Sequence, residues 1–114
     1  MMLLVEREQR DGGDKVPKRV LHITVKKEWF KKILAKEKDE DFREIKPFWK
    51  IRLIGKKYDY IKITNGYRKD SPSILAKYDG WRYTSEDEVT DLGTGEFFAL
   101  MIGEFIETSN VSNM

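Results

Sequence analysis

Residues 20–49 read VLHITVKKEWFKKILAKEKDEDFREIKPFW, and the order of patterns in this stretch decides the fold. Residues 20–25 alternate and are rich in β-branched side chains, which predicts a β-strand. In the residues that follow, apolar side chains recur at spacings of three and four among lysines: Phe30, Ile33 and Leu34. That spacing predicts an amphipathic helix of about three turns with its apolar side toward the core.

A second strand and a second helix follow in the same stretch. Residues 40–45 alternate again, so neighbouring side chains should point to opposite faces. This alternation predicts Phe42 in the core, with Asp41 and Arg43 together on the other face. Pro47 has the fixed backbone angle and the missing N–H that suit the first position of a short second helix.

The rest of the chain reads mainly as strands. Three predicted strands cover residues 57–66, 73–83 and 96–107. Asn65-Gly66 is a strong turn signal at the end of the first, and Asp79-Gly80 predicts a turn or bulge within the second. The third is apolar enough to be a central strand covered on both faces. The acidic segment 86–95 between the last two predicts a solvated loop.

This order of elements predicts an α+β fold, a small mixed or antiparallel β-barrel with one main helix and a short second helix. A chain of 114 residues is long enough for one such domain. We expect the domain to span residues 20–107. An extended N-terminal lead-in over residues 1–19 should precede it, and a flexible polar tail over residues 108–114 should follow it.

Composition excludes several classes of function. The chain has no cysteine, which removes disulfides, thiolate catalysis and cysteine-based zinc sites. Its one histidine, His22, offers no metal constellation, and we expect neither a metal nor a cofactor. No apolar run approaches the roughly 20 residues that span a bilayer, and the first residues lack a signal-peptide pattern. We therefore expect a cytoplasmic protein with no membrane partner.

The charges are unevenly distributed along the chain. Residues 15–69 carry 18 basic and seven acidic residues, whereas residues 70–114 carry two basic and nine acidic ones. If the basic side chains share a face, they focus a positive field that attracts anions. If the two regions lie against each other in space, their charges neutralise. Sequence alone leaves both arrangements open.

The densest polar cluster lies at the predicted junction between the first helix and the second strand. Asp41 and Arg43 should share a strand face, and Lys38 stands just before that strand. A planar guanidinium and a mobile ammonium near one carboxylate form a plausible anion site. The alternative is a solvated salt-bridge cluster that contributes little, and spacing alone favours this alternative.

The same residues carry a resemblance to a known family. The ASCH domain has the pattern G-x-K-x-x-E-x-R after its first helix, and residues 36–43 here read KEKDEDFR. Lys38 and Arg43 match, Asp41 replaces the glutamate, and Lys36 replaces the glycine. With the later YDYIKITNGY and GEFFALMIGEFIE, the chain resembles short stand-alone ASCH domains of bacteria and their phages over roughly residues 20–107.

The resemblance implies a PUA-like β-barrel with a cleft beside the first helix, lined by Lys38 and Arg43. It implies an RNA partner or a nucleotide-like ligand, and Thr24 would extend the cleft from the first strand. Some small members of the family are enzymes that remove the acyl group of N4-acetylcytidine, and others are described as ribonucleases. In the amidohydrolase members a Lys, a Thr and a downstream Glu act, and here Lys38 aligns with the Lys while Asp41 stands at the Thr position.

Two functions therefore stand as the main alternatives, and the net charge of only +2 leaves open a third, a partner-binding adaptor with no nucleic-acid role. A binding module would contact phosphate and base through Lys38 and Arg43, with five further residues: Lys46, Asn65, Tyr67, Arg68 and Lys69. Tyr67 follows a turn and is the aromatic side chain that we expect to face a ligand. Such a module predicts micromolar affinity that weakens as salt rises. A small enzyme would instead use Lys38 as base or activator, with Asp41 as its partner.

Overall fold

The computed structural model describes residues 19–113, which form two α-helices, seven strands and a terminal 3-10 turn. The predicted lead-in lies outside these residues, apart from its last position. In chain order the elements are β1 Val20–Thr24, α1 Lys27–Leu34, β2 Glu40–Arg43, α2 Pro47–Leu53, β3 Tyr60–Thr64, β4 Ser73–Tyr83, β5 Val89–Thr90, β6 Gly93–Thr94, β7 Phe98–Ser109 and the 3-10 turn Val111–Asn113.

Five strands form one curled sheet in the order β1-β3-β4-β7-β2, which is half of a barrel. The β1 and β3 strands are parallel and the other pairs are antiparallel, so the sheet is mixed as predicted. The α+β class with two helices is confirmed, but α1 has eight residues and α2 has seven, so the first helix is longer by one residue only. No helix among residues 19–113 has both the length and the apolar character needed to cross a bilayer.

The two long strands are bent by bulges. Tyr78 pairs with Ile102 and Trp81 pairs with Leu100. Between these two pairs β4 advances by three residues whereas β7 advances by two, so β4 has one extra residue. The extra residue falls in the predicted Asp79-Gly80 break, and Gly80 has a φ of 95°, a conformation that favours glycine. Such bulges increase the local twist, which curls the sheet around its core.

The core fills the space between α1, α2 and the inner face of the sheet. Phe30 and Ile33 of α1 are fully buried, as the helical spacing predicts, and Leu53 adds a buried side chain from α2. Phe98 and Leu100 of β7 are also fully buried. The first part of β7 is covered on both faces as predicted, but from Gly103 onward its residues are half-buried or exposed.

The helix α1 spans eight residues and ends earlier than the three turns that the sequence predicts. The N–H of Lys36 donates to the carbonyl oxygen of Ile33, and the N–H of Glu37 donates to that of Lys32, both at 2.9 Å. These two bonds form a Schellman motif, which stops a helix by turning one residue into the left-handed conformation. That residue is Lys36, with a φ of 63°.

Two boundaries differ from the prediction. Residues 86–95 are not a plain loop, because β5 and β6 pair there as a short hairpin arm. The predicted tail does not begin at residue 108, because β7 continues to Ser109, which pairs with Ser73. Val111 then packs against the core, so the apolar side chain in this polar segment holds it to the domain.

Candidate functional site

A cleft of about 480 Å³ opens beside α1. Its walls come from the end of β1, from α1, from β2, from the loop between β3 and β4 and from the turn of the hairpin arm. The side chains that line it include three aromatic rings, three cations, two carboxylates and one amide: Trp29, Phe42, Tyr67, Lys26, Lys38, Arg43, Asp41, Asp91 and Asn65. A concavity therefore lies beside the first helix, with Lys38 and Arg43 among its lining residues.

The Schellman motif turns the chain at the end of α1, so that Lys38 lies in the cleft. One residue later, the carbonyl oxygen of Asp39 accepts a hydrogen bond of 2.9 Å from the N–H of Ile102, which fixes the junction to β7. The Lys38 side chain is 10% exposed. Its ammonium lies 4.6 Å from the centroid of the Phe42 ring and 5.6 Å from that of Trp29, so both rings stabilise the positive charge.

The prediction that Phe42 enters the core is wrong. The ring is only half-buried and lines the cleft wall beneath the ammonium of Lys38. The strand β2 is at the edge of the sheet, so each of its two faces is only partly covered by the rest of the domain. Alternation therefore puts Phe42 on one of these faces without putting it in the core. The side chain on the more buried side is Asp41.

Asp41 and Arg43 form a pair along β2, as the alternation predicts. Nε of Arg43 donates to Oδ2 of Asp41 at 2.5 Å, and Nη2 donates to the carbonyl oxygen of Thr24 at 2.9 Å. The guanidinium also lies 4.8 Å from the centroid of the Trp49 ring. These contacts orient Arg43 and tie β2 to the end of β1. Thr24 lines the cleft, in the place expected for it.

Burial raises the pKa of Asp41 above its ordinary value. Arg43 opposes this effect by its charge and its hydrogen bond, and the charge of Lys38 opposes it more weakly, whereas the charge of Asp91 adds to it. Four charged groups are therefore close enough to influence one another at the floor of the cleft. A carboxyl group with a perturbed pKa in a cleft is a typical feature of functional sites.

Asp91 was expected in a solvated loop, and the structure places it in the site. It lies at the turn of the hairpin arm, where its carboxylate forms an ion pair with the ammonium of Lys38. Local sequence gives no signal for this contact, because the two residues are 53 positions apart. Trp29 and Lys26 were also missed as lining residues.

Arg82 holds the hairpin arm in place. Its Nε donates to Oε2 of Glu40 on β2 at 2.8 Å, and its Nη2 donates to Oε2 of Glu88 on the arm at 2.8 Å. The hydrogen bond from Arg82, together with one from the backbone N–H of Ser85, lowers the pKa of Glu88. One guanidinium therefore joins the arm that carries Asp91 to the strand that carries Asp41.

The loop between β3 and β4 forms the opposite wall. Nδ2 of Asn65 donates to the carbonyl oxygen of Val25 at 3.0 Å, which holds the loop against the end of β1. Gly66 has a φ of 112°, and a Cβ there would come within 2.9 Å of Oγ of Ser71, so the turn requires glycine. Tyr67 follows, 92% exposed at the rim of the cleft.

The remaining predicted contacts lie elsewhere. Lys46 is exposed, pairs with Glu44 at 2.9 Å and is not among the residues that line the cleft. Arg68 and Lys69 lie on the far side of the β3–β4 loop and line a second pocket. The structure thus brings together five of the eight predicted residues: Lys38, Asp41, Arg43, Asn65 and Tyr67.

The cleft combines apolar rings with charges of both signs. Its three cations face two carboxylates, so it is less basic than the charge surplus of residues 15–69 suggests. Among residues 19–113, no group of three or more His, Cys, Asp and Glu side chains is arranged to hold a metal ion. No protein-family model, curated protein or solved structure matches the chain.

Proposed function

We propose that the chain binds RNA, or a nucleotide-like ligand, by taking one unstacked base and its phosphate into the cleft. The observation that carries the proposal is the presence of three aromatic rings and three cations around one concavity of about 480 Å³. Clefts of roughly 300–1,000 Å³ accommodate small-molecule ligands, a range that includes a single nucleotide.

The rings supply the contact for the base. Trp29 and Phe42 form part of the wall, and Tyr67 projects at the rim. Stacking of a base on an aromatic side chain contributes about 1–3 kcal/mol in proteins that bind single strands. The carbonyl oxygen of the Asn65 side chain can accept a hydrogen bond from a base edge, since its amide nitrogen is engaged with Val25.

The cations supply the contact for the phosphate. Lys26 is exposed at the edge of the cleft, whereas Lys38 and Arg43 lie deeper and are paired with Asp91 and Asp41. A phosphate that enters must compete with these carboxylates. We therefore expect moderate affinity with a salt dependence that reflects few phosphate contacts.

The local geometry also supports the resemblance to ASCH domains. Lys36 stands where the family pattern has glycine, and its φ of 63° is a conformation that glycine adopts without strain. Two positions later Lys38 enters the cleft, and Arg43 lines the same cleft from β2. The proposal extends this local agreement to the whole domain, as a PUA-like barrel that binds RNA.

A matched pair of variants tests the binding proposal. Tyr67→Ala removes an exposed ring from the cleft rim, and Phe48→Ala removes a 54% exposed ring from α2, outside the cleft. Titration of labelled single-stranded RNA should show roughly ten-fold weaker binding for Tyr67→Ala and unchanged binding for Phe48→Ala. Equal affinities for both variants, or no binding by the unaltered protein at low salt, would contradict the proposal.

A second candidate function is hydrolysis of a modified nucleoside or of RNA. The observation in its favour is that Lys38 contacts Asp91 beside Asp41, a buried carboxyl group whose pKa is raised. For the amidohydrolase members, the resemblance implies a lysine that acts with a carboxylate later in the chain. Here Asp91 comes later in the chain than Lys38, and its carboxylate forms an ion pair with the Lys38 ammonium. With the acylated nucleoside, water adds to the acyl carbon and gives a proton to a carboxylate, while the ammonium stabilises the oxyanion. The C–N bond then breaks as the departing amine takes that proton, which leaves the free carboxylic acid.

Product analysis separates the two functions. The protein is incubated with N4-acetylcytidine and, separately, with RNA. An enzyme would release acetate and cytidine, or shorter RNA, and would lose turnover in Lys38→Met while retaining it in Lys46→Met, which lies outside the cleft. Absence of product from both substrates would reject the catalytic candidate and leave the binding proposal in place.

A further inference from the structure

A second pocket, of about 410 Å³, lies on the other side of the β3–β4 loop. Four basic side chains line it: His22, Lys62, Arg68 and Lys69. No Asp or Glu belongs to its lining within the part of the chain that the structure describes. The lining of the second pocket therefore carries more positive charge than the lining of the cleft, where two carboxylates offset the cations.

A row of hydroxyl side chains crosses the sheet between the two concavities. The strand register pairs Thr24 with Thr64, Thr64 with Ser73, and Ser73 with Ser109. Registered neighbours lie on the same face of a sheet, and four adjacent strands extend over about 14 Å. Thr24 lines the cleft and the other three line the second pocket, so the row connects the two.

Two acids lie near the second pocket, and neither belongs to its lining among the residues that the structure describes. Asp70 lies 3.4 Å from Arg68, but both side chains are largely exposed, and such pairs contribute little. Glu107 lines a neighbouring shallow pocket together with His22 and Lys62 and bounds the basic surface on that side. The positive charge therefore concentrates toward Lys69 and the loop that also forms the cleft wall.

We propose that the second pocket binds backbone phosphates of a single-stranded RNA whose unstacked base occupies the cleft. This inference rests on the proposed function, and it names the ligand class as a strand rather than a free nucleotide. The cations neutralise the phosphates, and the half-buried hydroxyls of the row in this pocket, those of Thr64 and Ser109, donate hydrogen bonds to phosphate oxygens along the path, whereas Ser73 is buried. Residues 65–72 form the loop between the two sites, so base and backbone lie on its opposite sides.

The test uses two probes and two double variants of the full chain. The probes are uridine monophosphate, which reports on the cleft, and an oligouridylate of about eight nucleotides, which can also reach the second pocket. Lys62→Gln with Lys69→Gln removes two charges from the second pocket. Lys50→Gln with Lys56→Gln removes two exposed charges from α2 and the segment after it, outside both sites.

The inference predicts that only the pocket variant weakens oligouridylate binding, by about five-fold or more at low salt, with the salt slope reduced by about 1.4. Binding of uridine monophosphate should stay the same in both variants. If the pocket variant binds the oligonucleotide with the affinity and salt slope of the control variant, the second pocket holds no phosphate, and the cleft proposal stands on its own. If neither probe binds the unaltered protein, both proposals fail.

Discussion

The ammonium of Lys38 forms an ion pair with the carboxylate of Asp91, which reaches the cleft from the turn of the hairpin arm. The contact joins the helix-to-strand junction to a segment 53 residues later in the chain. It also places an acid at the point where an incoming phosphate would need a cation. If a phosphate binds in the cleft as we propose, its affinity depends on the strength of the ion pair between Asp91 and Lys38.

Replacing Asp91 tests this dependence. Asp91→Asn keeps the size of the side chain and removes its charge, so Lys38 becomes available to a phosphate. We expect binding of single-stranded RNA to tighten by up to about five-fold, because partly exposed ion pairs contribute at most about 1 kcal/mol. Glu86→Gln removes an exposed acid nearby that does not line the cleft, and it should leave affinity unchanged. Weaker binding by Asp91→Asn would mean that Asp91 supports the site rather than competing with the ligand.

The buried carboxyl group of Asp41 makes a prediction about pH. Its pKa in the folded protein lies above the ordinary value of 3.8, so the folded chain binds more protons than the unfolded chain between these two values. The free energy of unfolding therefore falls as pH rises through that window, and the contribution stays lost at higher pH. Asn cannot titrate, so the stability of the unaltered protein relative to Asp41→Asn should be greatest, and constant, below pH 3.8 and should decline as pH rises above that value. Urea denaturation at a series of pH values measures this, and a difference that grows with pH would contradict it.

The left-handed conformation of Lys36 makes a prediction about stability. A non-glycine residue in this conformation costs roughly 1–2 kcal/mol. Lys36→Gly removes that cost, while Lys36→Ala retains it, and both variants lose the contact of the ammonium with the Phe105 ring at 4.8 Å. The glycine variant should be more stable than the alanine variant by about 1 kcal/mol. Equal stability in thermal or urea denaturation would show that the turn is not strained.

The bridging role of Arg82 makes a prediction about the hairpin arm. Arg82→Met leaves Glu40 and Glu88 without their shared partner, so the arm should open more often. Hydrogen exchange at the N–H of Gly95, which donates to the carbonyl oxygen of Glu88 at 3.0 Å, should become several-fold faster. Exchange in β1 and β3, which do not contact Arg82 through its ion pairs, should not change. Arg52→Met, on α2, should have no effect on Gly95, and a uniform increase throughout the domain would contradict a local role.

Sequence predicted the parts of the fold that depend on neighbouring residues. The spacing of Phe30 and Ile33 gave the helix and its buried side, and the alternation around Asp41 gave the strand β2. The break at Gly80 also appears where it was predicted. In each case the signal lies within a few residues of the feature that it describes.

The parts that depend on distant contacts were not predictable in this way. Asp91 belongs to the site only because the hairpin arm folds over Lys38, and the arm is held by Arg82, which is 42 residues from Glu40. Phe42 follows the alternation, but its exposure depends on β2 being an edge strand, which requires the whole sheet order. Separation of Arg68 and Lys69 from the cleft likewise follows from the path of the β3–β4 loop.

The most direct measurement of the central claim is a nuclear magnetic resonance titration with uridine monophosphate that follows the indole N–H signals. Trp29 lines the cleft, whereas the indole N–H of Trp81 donates to the carbonyl oxygen of Leu53 at 3.1 Å, outside the residues that line the cleft. The account predicts that the Trp29 signal shifts and saturates, together with the amides of Asn65 and Tyr67, while Trp81 stays in place. A Trp29 signal that does not move, or one that moves no more than Trp81, would contradict ligand binding in the cleft.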